Sequence, residues 1–542
     1  MWHTRKWEAH SLFPCTRRHP GLALLFHGAT RGRSTIAAVG VLNLPRPMRA
    51  DKPRSPPPQS SHGFIGNSIC LCYPAAMVHP HRRHRHHHTL AGRIARHRAA
   101  AARPHRSWFA RLGPGLITGA SDDDPSGIAT YSQAGAQFGT GMCWVMLFTF
   151  PLMAAIQEIS ARIGRVTGQG IAGNIRAYYP AWLLRAIVAL LLVANIINLA
   201  ADLGAMGEAV GLLVGGPVKV YVVGFALGCT LLEIFSRYGR YITVLKWTSL
   251  SLLAYAATAF VVDVPWKQVL HDLVVPNLSL DRDYVVAIVA VLGTTITPYC
   301  FFWQSSQEAE DERVDPLAHS LIDRPEEAPA QISRMRFDTY LGMAYSNVIS
   351  LFIIITTAAT LHAHGVTDIQ TSSQAAEALR PIAGVFTFAV FSAGIIGIGL
   401  LAVPVLAGSS AYALGEALGW TTGLGRAPLD AKAFYAAIAV STLLGIGINF
   451  TGFDPIRALF WAAVLNGVVS VPLMAVMMIM AMAPRVMGRF TLPWPLWTVG
   501  WLCTRLGPAQ PGGQVRLRPA STWACTWKTV WPASAPVLKT VR

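Results

Sequence analysis

Gly113-Pro114-Gly115-Leu116-Ile117-Thr118-Gly119-Ala120-Ser121-Asp122-Asp123-Asp124-Pro125-Ser126-Gly127-Ile128-Ala129-Thr130 opens and closes as an apolar helix, but three acids and a proline interrupt its centre. The pattern returns in the second half of the chain as Val291-Leu292-Gly293-Thr294-Thr295-Ile296-Thr297-Pro298-Tyr299-Cys300-Phe301-Phe302-Trp303. Proline has no N–H and clashes with the preceding turn, so it frees backbone carbonyls. A membrane interior tolerates these only where they line protein or a water-filled cavity. Paired breaks at matching places in two halves of a chain point to a solute site near the bilayer midplane. Asp124 is the foremost candidate there, because it precedes Pro125 where the helix must open. On a helix, Asp122, Asp123 and Asp124 would point about 100° apart, so they do not all face one site.

The composition places the breaks in a membrane. Apolar residues make up 52% of the chain and charged residues 13%, against about a quarter charged in ordinary soluble domains. Apolar runs of about 18 residues or more, long enough to cross hydrocarbon, recur from Leu147 to Met482. Ten spans are predicted, near 112–139, 143–161, 183–203, 218–236, 242–262, 284–306, 339–361, 383–405, 432–451 and 456–482. The first and sixth carry the breaks. The chain therefore divides five plus five, and an odd number of spans per half turns the two halves upside down relative to each other.

The formal charge of +18 belongs to the N-terminal tail, since residues 1–106 hold 18 Lys/Arg and only 2 acids. That tail is Pro-, His- and Arg-rich, cannot bury a core and reads as disordered, or as a reading frame opened upstream of a start near Met77. Deleting residues 1–76 is expected to leave uptake unchanged in a variant that inserts normally. Residues 486–542 read as an atypical C-terminal tail, because Leu496 to Cys503 is too short to span. Thirteen of 17 histidines precede position 107, and the other four fall in predicted loops, so no span holds one. The eight cysteines are scattered and read as free thiols.

Arginines and lysines cluster after spans two, four, eight and ten (Arg162, Arg165, Arg176, Arg185; Arg237, Arg240, Lys246; Arg426, Lys432; Arg485, Arg489). The loop after span five is acidic (Asp263, Asp272, Asp281, Asp283). Basic loops face the cytoplasm, so both ends of the bundle are expected inside a cell (inner) membrane. The mixed-sign stretch Glu308–Arg313, with Arg334 and Arg336, reads as a cytoplasmic loop and a candidate gate.

Asp124-Pro125-Ser126-Gly127-Ile128-Ala129-Thr130, followed by Ala134-Gly135-Ala136-Gln137-Phe138-Gly139, resembles the first-helix signature of the Nramp divalent-metal transporters, which reads Asp-Pro-Gly-Asn where this chain has Asp-Pro-Ser-Gly. The likeness continues through Ser160-Ala161-Arg162-Ile163-Gly164, Ala201-Asp202-Leu203 and Ser346-Asn347-Val348, and covers about 107–485. It implies an all-α integral membrane protein of the LeuT type, a 5+5 inverted-repeat helix bundle with helices one and six broken around a metal site. The expected partners are a divalent metal ion, carried as substrate and not held as a cofactor, and the lipid bilayer, with no nucleic acid.

By that resemblance, Asp124 keeps the family's metal-binding Asp, Gly127 replaces its Asn, Thr297 its Met, and Thr294 stands at the carbonyl-donor position. A thioether favours soft metals and a hydroxyl favours Mg, Ca or Mn, while loss of the amide widens the site. Mg²⁺ sheds water reluctantly and suits a wide, hard cage, so at these positions the chain resembles the Nramp-related magnesium transporters more than the manganese/iron branch. The family's two helix-six histidines become Tyr299 and Gln304. The helix-three acid survives as Asp202, but the Glu three residues on is Ala205. A proton route is left with Asp124, Asp202 or Glu158, and coupling is in doubt. Other readings are an amine or amino-acid symporter on the same fold, and a metal sensor. An enzyme would need a nucleophile–base pair or metal triad that histidine-free spans do not offer.

Overall fold

The computed structural model of the protein describes residues 113–506 except 237, 280, 315–319 and 452–454. The expectations for residues 1–106 and 507–542, and for Arg237 and His319, lie outside the described residues.

Each half begins with a helix that proline restarts. In the first, α1 (Pro114–Asp122) ends at Asp123, whose ψ of 47° leaves the helical range, and α2 (Pro125–Phe138) starts with Asp124 as its N-cap. It continues with α3 (Cys143–Thr167), α4 (Ile171–Tyr178), α5 (Ala181–Val214), α6 (Val218–Phe235), and α7 (Tyr238–Thr248), which runs through a 3-10 turn into α8 (Leu253–Val261). After a short amphipathic α9 (Trp266–Val274), α10 (Arg282–Thr294) and α11 (Pro298–Val314) form the second broken helix. Then come α12 (Ala328–Thr360), α13 (Ser372–Leu418, bent at Gly384 where φ is +86°), α14 (Lys432–Phe450), α15 (Pro455–Met482), α16 (Pro484–Met487) and α17 (Trp494–Leu506). No strand occurs among the described residues.

Nine helical stretches among the described residues are long and apolar enough to cross a membrane, and one of them, Pro125–Thr167, joins the second half of the first broken helix to the next span. This is the LeuT-type 5+5 bundle, with its breaks in helices one and six.

The structure departs from the predicted boundaries where polar residues are buried. Glu308, Glu310 and Glu312 are not in a loop: α11 carries them to Val314, buried against α3 and α13. The apolar pattern stops at Trp303, but the helix continues because buried partners take over. Arg165 lies 3.5 Å from Glu308 and 3.8 Å from Glu312, and Arg334 lies 3.2 Å from Glu308. Beyond span ten, the short apolar stretch after Trp494 becomes α17, which packs Leu496, Gly500 and Cys503 against α3 and α15. His362 and His364 form a 3-10 turn that closes α12.

The position of α1 is set from a distance. Its N-terminal amides lack a cap of their own, and the Asp338 carboxylate of α12 accepts from Gly113, Gly115 and Leu116 N–H at 2.9, 2.8 and 3.3 Å. Below that cap the two helices cross without side chains between them. A Cβ on Gly119 would stand 2.2 Å from the Gly342 carbonyl, and one on Gly342 2.1 Å from the Gly115 carbonyl. Small residues let membrane helices approach this closely and pack backbone on backbone.

Candidate substrate site

The two breaks face each other. Pro125 has no N–H to offer the Ser121 carbonyl, and the Tyr299 hydroxyl donates to it instead at 2.7 Å. The same hydroxyl lies 3.3 Å from Asp124 Oδ2, so one phenol ties the opening of the first helix to the restart of the sixth. On the other side, Pro298 leaves the Thr294 carbonyl without an i+4 donor, and the Ile296 carbonyl accepts from Ser470 Oγ of α15 at 3.0 Å.

The three successive acids are all buried and point three ways, because the chain leaves the helix at Asp123 and restarts it after Asp124. Asp122 Oδ1 accepts from Thr297 Oγ1 at 2.7 Å, across the two breaks. Asp123 Oδ1 accepts from Ser350 Oγ of α12 at 2.6 Å. Asp124 Oδ1 caps α2, accepting from the Gly127 amide at 2.8 Å and Ser126 Oγ at 2.5 Å, while Oδ2 faces Tyr299. The second oxygens of Asp122 and Asp123 are buried without a hydrogen-bond partner. On insertion scales an acid at mid-membrane costs about 2.5–3.5 kcal/mol, so a buried acid normally has a partner or a cavity, and Asp122 and Asp123 each keep one oxygen open.

The remaining sequence candidates divide into those at the breaks and those set apart. Thr297 lies between the breaks, but its hydroxyl is engaged by Asp122 and not by Asp124. Thr294 turns its hydroxyl back onto the Ala290 and Val291 carbonyls, so only its main-chain oxygen is available. Gly127 is open enough for a side chain, since an added Cβ would meet Tyr131, the Asp122 carbonyl and Asp124 at 3.4–3.6 Å. Asp202 of α5 is fully buried, has both oxygens unpartnered and lies within electrostatic reach of Asp124 and Tyr299. Gln304 is taken up by Gln157 Nε2 at 2.6 Å and donates to Thr339 Oγ1 at 2.7 Å. Glu158 is an ion-pair residue, 2.9 Å from Arg162 and 3.4 Å from Arg336.

Sequence reasoning passed over a polar face of α5. Asn195, Asn198 and Asp202 are buried at i, i+3 and i+7, on one side of the helix. Asn195 donates to Ser409 and Ser410 hydroxyls at 2.9 Å each, while neither amide atom of Asn198 has a partner. The helical spacing of these polar residues inside an apolar run was the signal. Ser350 carried none, because its role depends on α12 crossing α1. Cys300 stands two residues after Pro298, with Sγ 3.7 Å from the Thr118 carbonyl.

Comparison with known proteins gives a consistent result. A family model described as natural resistance-associated macrophage protein-like, Nramp, matches residues 115–506. Among relatives, a divalent metal cation transporter MntH of Klebsiella pneumoniae (strain 342) is 28% identical over 366 residues, covering 66% of this chain and 82% of the relative. The MntH of Yersinia enterocolitica is 28% identical over 300 residues, covering 53% and 68%. A crystal structure of an Eremococcus coleocola manganese transporter superposes with a TM-score of 0.60 at 17% identity, over 79% of this chain and 92% of that one, a likeness of fold.

Proposed function

The chain belongs to the Nramp family, and from that premise we propose that it carries a divalent metal cation of the Mn²⁺/Mg²⁺ class across the membrane, through a site between the two helix breaks. The observation that carries this reading is the oxygen-rich meeting of the breaks, where Asp124 faces Tyr299 and Asp122 faces Thr297. Asp124 and the Thr294 carbonyl are the first ligands we assign, with Thr297 and the space beside Gly127 setting selectivity. Asp122 joins them, since its free oxygen has no other partner. The chain works as a transporter and not as an enzyme, and its basic loops orient both ends of the bundle to the cytoplasm of a cell membrane.

Carboxylate, hydroxyl and carbonyl donors suit hard ions, and a site without thioether or amide leaves room for an ion that retains water. We assign Asp202 and Tyr299 to a polar relay beside those ligands, and Gln304 and Glu158 to supporting contacts farther off. Without histidine in the breaks, uptake is expected to be indifferent to an imposed pH gradient in proteoliposomes. An amine substrate on this fold would show as labelled-amine uptake that metal does not compete.

Restoring the family's ligands tests the site chemistry. A Thr297→Met, Gly127→Asn double variant is expected to shift competition by Mn²⁺ and Cd²⁺ over Mg²⁺ about tenfold, the equivalent of about 1.4 kcal/mol. The Asn side chain enters open space, while Met removes the hydrogen bond to Asp122, so a modest fall in stability accompanies the shift. A wild type that excludes Mg²⁺ and prefers Cd²⁺ would overturn the hard-site reading.

A further inference from the structure

At the end of the bundle where α12 enters its span, Ser333, Arg336, Phe337 and Tyr340 fall at i, i+3, i+4 and i+7 and share one face of the helix. This face lines a groove of about 570 Å³, opposite Arg489 and Phe490. α12 lies within the span Pro325–His364 and forms one wall of the groove, and the segment that follows the span Leu465–Met482 forms the other. Phe337 is 63% exposed on the outer surface of the bundle.

The charges in the groove do not balance. Arg162 and Arg336 share one carboxylate, Glu158. Among the described residues no carboxylate pairs with Arg489, whose guanidinium lies 5.2 Å from the Phe490 ring centre. Arg336 likewise lies 6.0 Å from the Tyr340 ring centre. Two guanidinium groups on aromatic faces at a membrane boundary, one sharing its carboxylate with Arg162 and one with none, match a phosphodiester joined to acyl chains. Basic pockets between membrane helices bind anionic head groups, and aromatic side chains settle at head-group level.

We propose that this groove is a binding site for an anionic phospholipid. Arg336 and Arg489 hold the phosphate, Ser333 donates to a head-group oxygen, and an acyl chain runs along Phe337 and Tyr340. A lipid seated there would bridge α12, which caps α1 through Asp338, to the segment that follows span ten. The proposal does not depend on which ion is transported.

The test uses the purified full chain in nanodiscs of phosphatidylcholine alone or mixed with phosphatidylglycerol, read by thermal unfolding. The wild type is expected to gain stability with phosphatidylglycerol. In Arg489→Gln the phosphatidylglycerol fraction giving half of that gain should rise roughly fivefold, while Arg505→Gln keeps the wild-type value. Arg336→Gln also breaks the Glu158 pair, so Arg489→Gln carries the test if that variant fails to fold. No gain in the wild type, or the same half-gain fraction in wild type and Arg489→Gln, would overturn the proposal. So would a soluble glycerophosphoglycerol head group that reproduces the whole effect in phosphatidylcholine discs.

Discussion

An Asp124→Ala variant is expected to insert and fold yet lose at least about a hundredfold of its metal uptake. A unit charge 4 Å away at an effective dielectric near 20 contributes about 4 kcal/mol, more for a divalent ion, and this exceeds what the neighbouring dipoles replace. Asp124 has a second task, because its Oδ1 caps α2 through the Gly127 amide. Alanine therefore also costs about 1 kcal/mol of helix stability. Asp124→Asn separates the two tasks: the amide oxygen still caps the helix, but the charge is gone. Both variants should be equally inactive in labelled-metal uptake by proteoliposomes, with Asn the more stable in thermal unfolding. An Asn variant with wild-type rates would remove Asp124 from the ion's path. Asp122 and Asp123 are buried at the same break, so residual low-affinity uptake in Asp124→Asn should disappear when Asp122→Asn is added.

The second large effect concerns packing. Gly119→Ala is expected to destabilise the protein by about 3 kcal/mol or more and to abolish uptake, although alanine is the better helix former. Overpacking a core usually costs about 1–3 kcal/mol, and here the new methyl meets a backbone carbonyl at 2.2 Å, which no rotamer change relieves. To make room, α1 must move off α12, which pulls its N-terminus from the Asp338 cap and carries Asp122 away from Thr297. Gly224→Ala in α6 is the control, because nothing lies within 4 Å of its added Cβ. It should unfold at the wild-type temperature or slightly above. Equal thermal stability of Gly119→Ala and Gly224→Ala would mean that the α1–α12 crossing is looser than its geometry.

Some features were legible in the residues alone because their causes are local. The breaks at Asp124-Pro125 and Thr297-Pro298 follow from proline's missing N–H, and the spans follow from runs of apolar residues. The 5+5 division follows from where the two breaks fall among those spans, and Asp124 stands out as an acid at a forced opening. Glycine and proline act on the chain within a turn of themselves, so their effect needs no knowledge of what packs nearby.

The tertiary structure decided the polar pairings. Thr297 reaches Asp122 and not Asp124, Asp123 is turned to Ser350, and Asp338 caps a helix more than two hundred positions earlier in the chain. It also turned Glu308–Arg313 from an apparent loop into helix that buries Glu308, Glu310 and Glu312, and gave Glu158 to Arg336. Such pairings carry no period along the chain. A buried carboxylate takes whichever donor the crossing helices bring within about 3 Å. Which donor arrives depends on where α1, α11 and α12 come together, and the glycines at 115, 119 and 342 set that approach.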